Sequence, residues 1–369
     1  NCFVSLFFFF TVSCVVSGTN NDYFDAKVRL VKYLTNNSTL MKEILPVRDM
    51  KTPVSVNVKI YLRQITDVDE RYQAVRLTLW LRLNWNNPFL TWDPAEYGGI
   101  ETVHVDHELF WVPDVALFNE ATFQESTDVL YKRFKTKLII DRYGDCWWNV
   151  PTTMLSQCRI DVSHFPFDEQ ECHISIGSWT YSSHEINFTY FEKNADLTNF
   201  IKSAEWKLQS AVLNNILRRY NYYGEELPYT DVTLTLKIKR HSTYYLTNII
   251  LPSAVIIFLS LLSFCLPSDH GERITFTIST LVAFAVYMVI ASSFSPETSP
   301  GTPHLAIFNL LVFIVMSLCV VAACLILKFP DMTWNGWIWW RDIALKRPCC
   351  DKQLLETINP DVRNGTPEV

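Results

Sequence analysis

No paired-histidine metal motif, glycine-rich phosphate loop or nucleophile elbow occurs in this 369-residue chain, and its eight histidines are scattered. The usual constellations for hydrolysis, phosphoryl transfer and metal chemistry are missing, so an enzyme is excluded on those grounds, and no cofactor or metal is expected. A strong excess of charge is lacking too: the net charge of -6 argues against a nucleic-acid partner. There is no internal repeat. The most informative absence is local. No charged residue falls between His241 and Asp269, from Ile274 to Pro296, or from Leu305 to Leu327. Each stretch matches the thickness of a bilayer core, which excludes a wholly soluble chain; the three are named M1, M2 and M3.

What is present before M1 is of a different kind. Asn1–Ser17 is an apolar segment centred on Phe7–Phe10 with a small-residue exit at Ser17-Gly18, the pattern of a secretory signal without a basic start. The alternative, a short membrane anchor, needs about 20 apolar residues. Residues 23–35 carry Phe24, Val28, Leu30, Val31 and Leu34, an apolar spacing that predicts a short helix stopped by Asn36-Asn37. From Val54 to Lys239 the pattern turns to short strands. Val56, Val58, Ile60 and Leu62 alternate with polar neighbours, as do Val232, Leu234, Leu236 and Ile238. Turn clusters punctuate them at Asp67–Glu70, Asp141–Asp145 and Tyr223–Glu226, so an all-β sandwich is expected. Sequons at Asn36, Asn37 and Asn187 fit an exported domain. Cys158 and Cys172 lie in that exported region, where disulfides persist, and Cys146 is left over as a buried thiol.

The expected organisation is a signal peptide (1–18), an extracellular ligand-binding β-sandwich domain (19–241), a transmembrane domain (242–328) and a cytoplasmic tail (329–369). M1 is placed at about 243–267, M2 at about 273–295 and M3 at about 304–328. With the β-domain outside, M1 runs inward, M2 outward and M3 inward. Lys328, Arg341, Lys346 and Arg347 then lie inside, beside the interfacial tryptophans Trp334, Trp337, Trp339 and Trp340 of a candidate amphipathic helix.

Several motifs go further. The run Cys158-Arg159-Ile160-Asp161-Val162 through Phe165-Pro166-Phe167-Asp168 to Cys172 resembles the signature of the Cys-loop, or pentameric ligand-gated, ion channels. Asp67–Glu70, Trp80-Leu81-Arg82 with Trp85, Trp92-Asp93-Pro94, Trp111–Asp114, Gly177–Tyr181 and Pro228–Val232 resemble nicotinic acetylcholine receptor subunits, in order from about Tyr23 through M3. The resemblance implies a Cys158–Cys172 disulfide and a plasma-membrane, multi-pass subunit with its N-terminal domain outside, a synapse among its settings. It implies a homo- or hetero-pentamer in a lipid bilayer. Family members carry a fourth membrane helix, M4, which is absent from this chain.

By the same resemblance, a cationic amine or choline ester would bind in an aromatic cage, where π-faces attract an ammonium group at roughly 0.5–2 kcal/mol each. Trp179 is its expected central face, with Phe118, Tyr229 and one or two of Tyr220, Tyr222 and Tyr223. Trp80, Ile139, Trp147 and Asn149 would come from the neighbouring subunit. The plain alternative for any one of them is an ordinary core aromatic. Phe118 stands where nicotinic subunits usually carry Tyr. The flap lacks the adjacent cysteine pair of nicotinic α subunits; Tyr223-Gly224-Glu225 occupies that region, which puts acetylcholine in question. Glu225 and Glu226 either favour a cation or are solvated loop charges.

In M2, Thr275, Ser279, Val282, Val286, Val289 and Ser293 recur at helical spacing and form one stripe, read as the pore lining with Val282 and Val286 as gate. Glu272 before it would form an acidic collar, and no Pro-Ala-Arg triplet of anion-selective members stands there, so permeant cations are expected. Coupling between domains is assigned to Asp69, Glu70, Phe165, Pro166, Phe167, Asp168, Arg240, and the M2–M3 link with Pro300 and Pro303. The alternative function is a non-conducting or modulatory binding subunit that needs partners.

Overall fold

The computed structural model describes residues 19–36, 42–49, 51–121, 130–222, 224–266, 271–293 and 303–328. The signal region, Asn37, Tyr223, Pro300 and the tail lie outside the described residues. The chain divides into two compact units, the first essentially residues 1–241 and the second built from residues 242–295 and 302–369.

The first unit begins with a helix, α1 (Thr19–Thr35), that starts four residues before the apolar pattern does. Its buried face is Ala26, Leu30 and Leu34, spaced by four; Phe24, expected on that face, is exposed. Asp22 in the first turn and Lys32 in the last oppose the helix dipole.

Ten strands follow: β1 (Val54–Asp69), β2 (Ala74–Asn86), β3 (Thr102–Val105), β4 (Val115–Leu117), β5 (Leu138–Asp141), β6 (Asp145–Gln157), β7 (Glu169–Ser178), β8 (Ile186–Tyr190), β9 (Trp206–Tyr222) and β10 (Glu225–Arg240). They form a six-stranded sheet in the order β3-β5-β6-β2-β1-β8 and a four-stranded sheet in the order β4-β7-β10-β9. All pairings are antiparallel except β1 with β8. The period of two puts Val56, Val58, Ile60 and Leu62 of β1 inside with Leu77, Leu79, Leu81 and Leu83 of β2. Val232, Leu234, Leu236 and Ile238 of β10 are buried as well. Burying a side chain of this kind contributes about 1.5–3 kcal/mol, which makes the two sheets a sandwich rather than open ribbons.

Turn chemistry sets the registers. The β5–β6 turn holds Gly144 at φ 82, and a Cβ there would lie 2.2 Å from the Asn87 carbonyl oxygen, so only glycine fits. Asp141 closes the same turn by accepting the Tyr143 and Asp145 amides, both at 2.9 Å. Cys158 and Cys172 form a disulfide. In the chain-entropy model a loop of this size removes on the order of 3 kcal/mol of unfolded-state entropy. Cys146 is buried with its thiol pKa pushed up by that burial, then by Asp145 and Asp141. Of the sequons, Asn36 follows α1 and Asn187 lies in β8.

The second unit has three helices long and apolar enough to cross a membrane: Thr243–Leu262, Glu272–Ser292 and His304–Leu325. M1 is not uniform. A π-helical turn, Leu246–Ile250, precedes its α-helical part, Leu251–Leu262, where Pro252 removes one backbone donor. M2 runs Glu272–Ser293 and M3 runs His304–Lys328.

Candidate functional site

One end of the four-stranded sheet gathers the expected cage residues. Phe118 follows β4, Trp179 follows β7, and Tyr220 and Tyr229 face each other across the β9–β10 hairpin. The Phe118 and Trp179 ring centroids are 6.0 Å apart, and Tyr220 meets Tyr229 edge-on at 5.6 Å. Phe118 fits because Gly177 has no side chain: a Cβ there would sit 3.0 Å from the Phe118 ring. Trp179, Thr180, Ser182, Glu185, Leu227 and Tyr229 line a cavity of about 330 Å³. Trp179 is 67% exposed, far from the core aromatic that composition alone favours. A larger cleft, about 590 Å³, lies elsewhere, between α1 and the segment containing Trp92 to Tyr97.

Asp114 explains why Trp179 can stand out and still be held. Its Oδ1 accepts the Ser178 hydroxyl at 2.6 Å and its Oδ2 accepts the Thr180 amide at 2.8 Å, one residue on either side of Trp179. The Ser178 hydroxyl oxygen in turn accepts the Tyr181 amide. Burial, then Asp114 and Glu185, raises the Tyr181 phenol's pKa and keeps it neutral. Ser183 donates its amide to the Pro228 carbonyl at 2.8 Å, joining this loop to the β10 side of the cage.

Behind Tyr229 lies a charged network that motif reading missed. Arg218, paired with Tyr229 in the β9–β10 register, donates from Nε and Nη2 to Asp231 Oδ2 at 3.3 and 3.2 Å. Asp231 is fully buried; its Oδ2 also accepts from Thr233, while its Oδ1 has no partner. Arg218 reaches the Ser175 hydroxyl as well. The available signal was a charge inside the alternation Asp231-Val232-Thr233-Leu234, where burial demands a counter-charge. Nothing is described of the Tyr222 side chain; Glu226 pairs at 3.8 Å with Arg219 in an exposed contact.

Trp80, Ile139, Trp147 and Asn149 belong to the other sheet. Trp147 lies opposite both Ile139 and Asn84, and Asn149 lies opposite Arg82. Trp147 stacks on Phe191 at 6.1 Å. Trp80 is 41% exposed, but the Arg63 guanidinium sits 4.4 Å from its ring centroid.

The coupling residues assemble in part. The Arg240 side chain is 1% exposed; Nε and Nη2 reach both Asp168 oxygens at 2.9 and 3.3 Å, and Nη2 reaches Glu70 at 2.6 Å. Nη1 reaches Glu205 at 2.5 Å, a partner absent from the sequence reading. The guanidinium rests on Trp206 and Phe165, 4.2 and 5.2 Å from their ring centroids. Burial alone would lower the Arg240 pKa; Asp168 and then Glu70 outweigh it and raise it. Asp69 takes no part in that cluster: it accepts the Tyr72 amide in the β1–β2 turn. Phe165 is buried and joined to Pro166 by a cis peptide, whereas Phe167 is exposed. Pro303 caps M3, accepting the Ala306 amide at 2.9 Å.

In M2, Thr277, Thr280, Phe284, Tyr287 and Ala291 form a buried face. Thr275, Ser279, Val282, Val286 and Val289 are exposed; nothing is described of the Ser293 side chain. The hydroxyls of Thr275 and Ser279 return to carbonyls four residues earlier, and Tyr287 donates to the Ile249 carbonyl at 3.0 Å. Glu272 is exposed, while Arg273 donates twice to the Leu266 carbonyl.

Two family models match the chain: the neurotransmitter-gated ion-channel ligand binding domain over residues 27–242, and the neurotransmitter-gated ion-channel transmembrane region over residues 249–352. Among similar proteins, acetylcholine receptor subunit alpha-type unc-38 of Caenorhabditis elegans is 32% identical over 310 residues, covering 78% of this chain and 60% of its own. Human neuronal acetylcholine receptor subunit alpha-6 is 35% identical over 290 residues, covering 79% and 57%. Human subunit alpha-9 is 32% identical over 291 residues, covering 79% and 58%. The chain thus spans somewhat over half the length of these relatives.

Proposed function

The chain belongs to the neurotransmitter-gated ion-channel family, and from that premise we propose that it is a subunit of a pentameric channel, cation-selective and opened by a small extracellular amine. The observation that carries this is the exposed Trp179 ring at the 330 Å³ cavity shared with Tyr229 and flanked by Phe118. An ammonium group has little to gain from neutral polar walls and much from π-faces in a water-poor cleft. Asp114 holds the Trp179 loop so that little ordering remains to be done on binding.

Conduction is assigned to M2. Five such helices, each turning Thr275, Ser279, Val282, Val286 and Val289 to a shared axis, would enclose a path with hydroxyls at one end and valines beyond. Rings of Val282 and Val286 close that path by dewetting. Glu272 supplies the acidic collar, and Arg273 is drawn off by its bonds to the Leu266 carbonyl. Arg240 and its carboxylates couple binding to opening.

The test is expression of the full chain in oocytes with a screen of amines, choline esters, protons and divalent ions. Ligand-gated current whose reversal potential follows sodium supports the reading. Current that follows chloride overturns the cation assignment. Saturable ligand binding at the cell surface with no current from this chain alone, but current on co-expression with related subunits, would assign the modulatory role instead.

A further inference from the structure

We propose that the ligand read by this subunit is a zwitterion, with an anionic group received by Arg63 and Arg82 on the Trp80 face; this deepens the aromatic-cage reading and rests on it. The argument starts in the β1–β2 ladder. Tyr61 is opposite Trp80, and the register slips between Leu62 and Gln64, leaving Arg63 without a partner residue on β2. A bulge of this kind re-aims its extra side chain. Here the guanidinium lands on Trp80, 4.4 Å from the ring centroid.

A second arginine stands on the same face. Arg82 lies 5.4 Å from the Tyr61 ring centroid and donates from Nε to Asn149 Oδ1 at 2.7 Å. Lys59, next along β1, is neutralised by Glu192 at 2.8 Å and Asp196 at 3.7 Å. Among the described residues Arg63 and Arg82 make no ion pair. The two partly exposed guanidinia are therefore held by an aromatic ring and an amide, with bidentate donor edges left for a carboxylate or phosphate.

The chemistry of the ligand follows. A bare ammonium ion brought to this face meets like charge, and the Trp80 ring it would use already carries a cation. An ammonium compound that also bears an anionic group avoids both penalties: its cationic end takes Trp179 and its anionic end takes the arginines. Trimethylglycine and choline make a clean pair for the test, since they share the trimethylammonium head and differ in a carboxylate against a hydroxyl. Phosphocholine adds a phosphate arm.

The experiment measures binding of the three labelled compounds to intact cells displaying the full chain, with surface display monitored by an extracellular tag. The expected result is trimethylglycine or phosphocholine binding at least tenfold tighter than choline, about 1.4 kcal/mol. Arg63→Gln and Arg82→Gln should each remove most of that advantage and leave choline unchanged or tighter. Choline binding as well as or better than both zwitterions overturns the proposal, as does an arginine variant that weakens all three equally. If the arginines instead serve the acidic flap of a neighbouring copy, Glu225→Gln with Glu226→Gln will abolish the Arg63→Gln effect, and the proposal falls. Trp179→Ala separates the layers: zwitterion binding that survives it removes the cage reading and leaves the arginine subsite standing. Absence of saturable binding by any of the three on displayed chain overturns both.

Discussion

At the residue scale, Trp179 and Arg240 occupy opposite regimes of the same physics. Trp179 is exposed, so its ring contributes little to folding and is free for a ligand. Trp179→Ala should therefore leave the thermal unfolding midpoint almost unchanged and raise the half-activating concentration of an ammonium agonist at least tenfold; a displayed variant with unaltered agonist response would refute the cage. Arg240 is buried among Asp168, Glu70 and Glu205. Removing one member of a buried ionic cluster strands the rest, at a cost of about 3–5 kcal/mol. Arg240→Gln should sharply reduce surface display and lower the unfolding midpoint of what remains, with Arg240→Lys intermediate because an ammonium cannot fork to two carboxylates. Wild-type stability in Arg240→Gln would show the cluster to be dispensable. Arg240 and Asp168 were legible from motif alone. Glu205 was not, because a lone glutamate in the stretch before β9 has no spacing that marks it.

At the element scale, M1 and M2 are tied by Tyr287. Its hydroxyl donates to the carbonyl of Ile249, inside the π-helical turn of M1, where backbone acceptors are displaced from regular pairing. Tyr287→Phe keeps the ring and deletes the bond, so it should destabilise the purified chain by about 1 kcal/mol, a lost hydrogen bond. Tyr287 lies on the buried face of M2, so unit conductance should not change. A variant as stable as wild type, or one with altered conductance, would contradict that role. Periodicity located M2 and its polar–valine stripe, but no sequence pattern marks the π turn or the carbonyl it presents. The β strands behave likewise: alternation identifies β1 and β10, whereas the bulge at Arg63 is a property of pairing between two strands.

At the scale of the whole molecule, conduction requires several copies of M2, and the test is whether single changes in the stripe act on current rather than on folding. Val282→Ser replaces an apolar ring with a wettable one and should give ligand-independent leak or easier opening. Glu272→Gln should lower unit conductance for cations and shift reversal potentials away from ideal cation selectivity. Unchanged currents in both variants, with display intact, would move the gate and filter elsewhere. Cysteine-accessibility labelling offers an independent check: Ser279→Cys should react with a water-borne reagent and Phe284→Cys should not.

Patterns that need only neighbours along the chain were settled by the sequence itself. Alternation specified the sandwich strands, three uncharged runs specified the membrane helices, and the ordered motifs around Cys158, Trp179 and Asp231 specified the family. Tertiary structure decided what each of those residues meets. Asp114 beside Trp179, Arg218 against Asp231, Glu205 on Arg240 and Arg63 over Trp80 all join residues on different strands or loops. Their juxtaposition depends on strand register and on one bulge, and a shift of one position would turn every such side chain to the other face. The packing of two sheets chooses that register, through the total burial of residues distant in sequence, so no local pattern carries it.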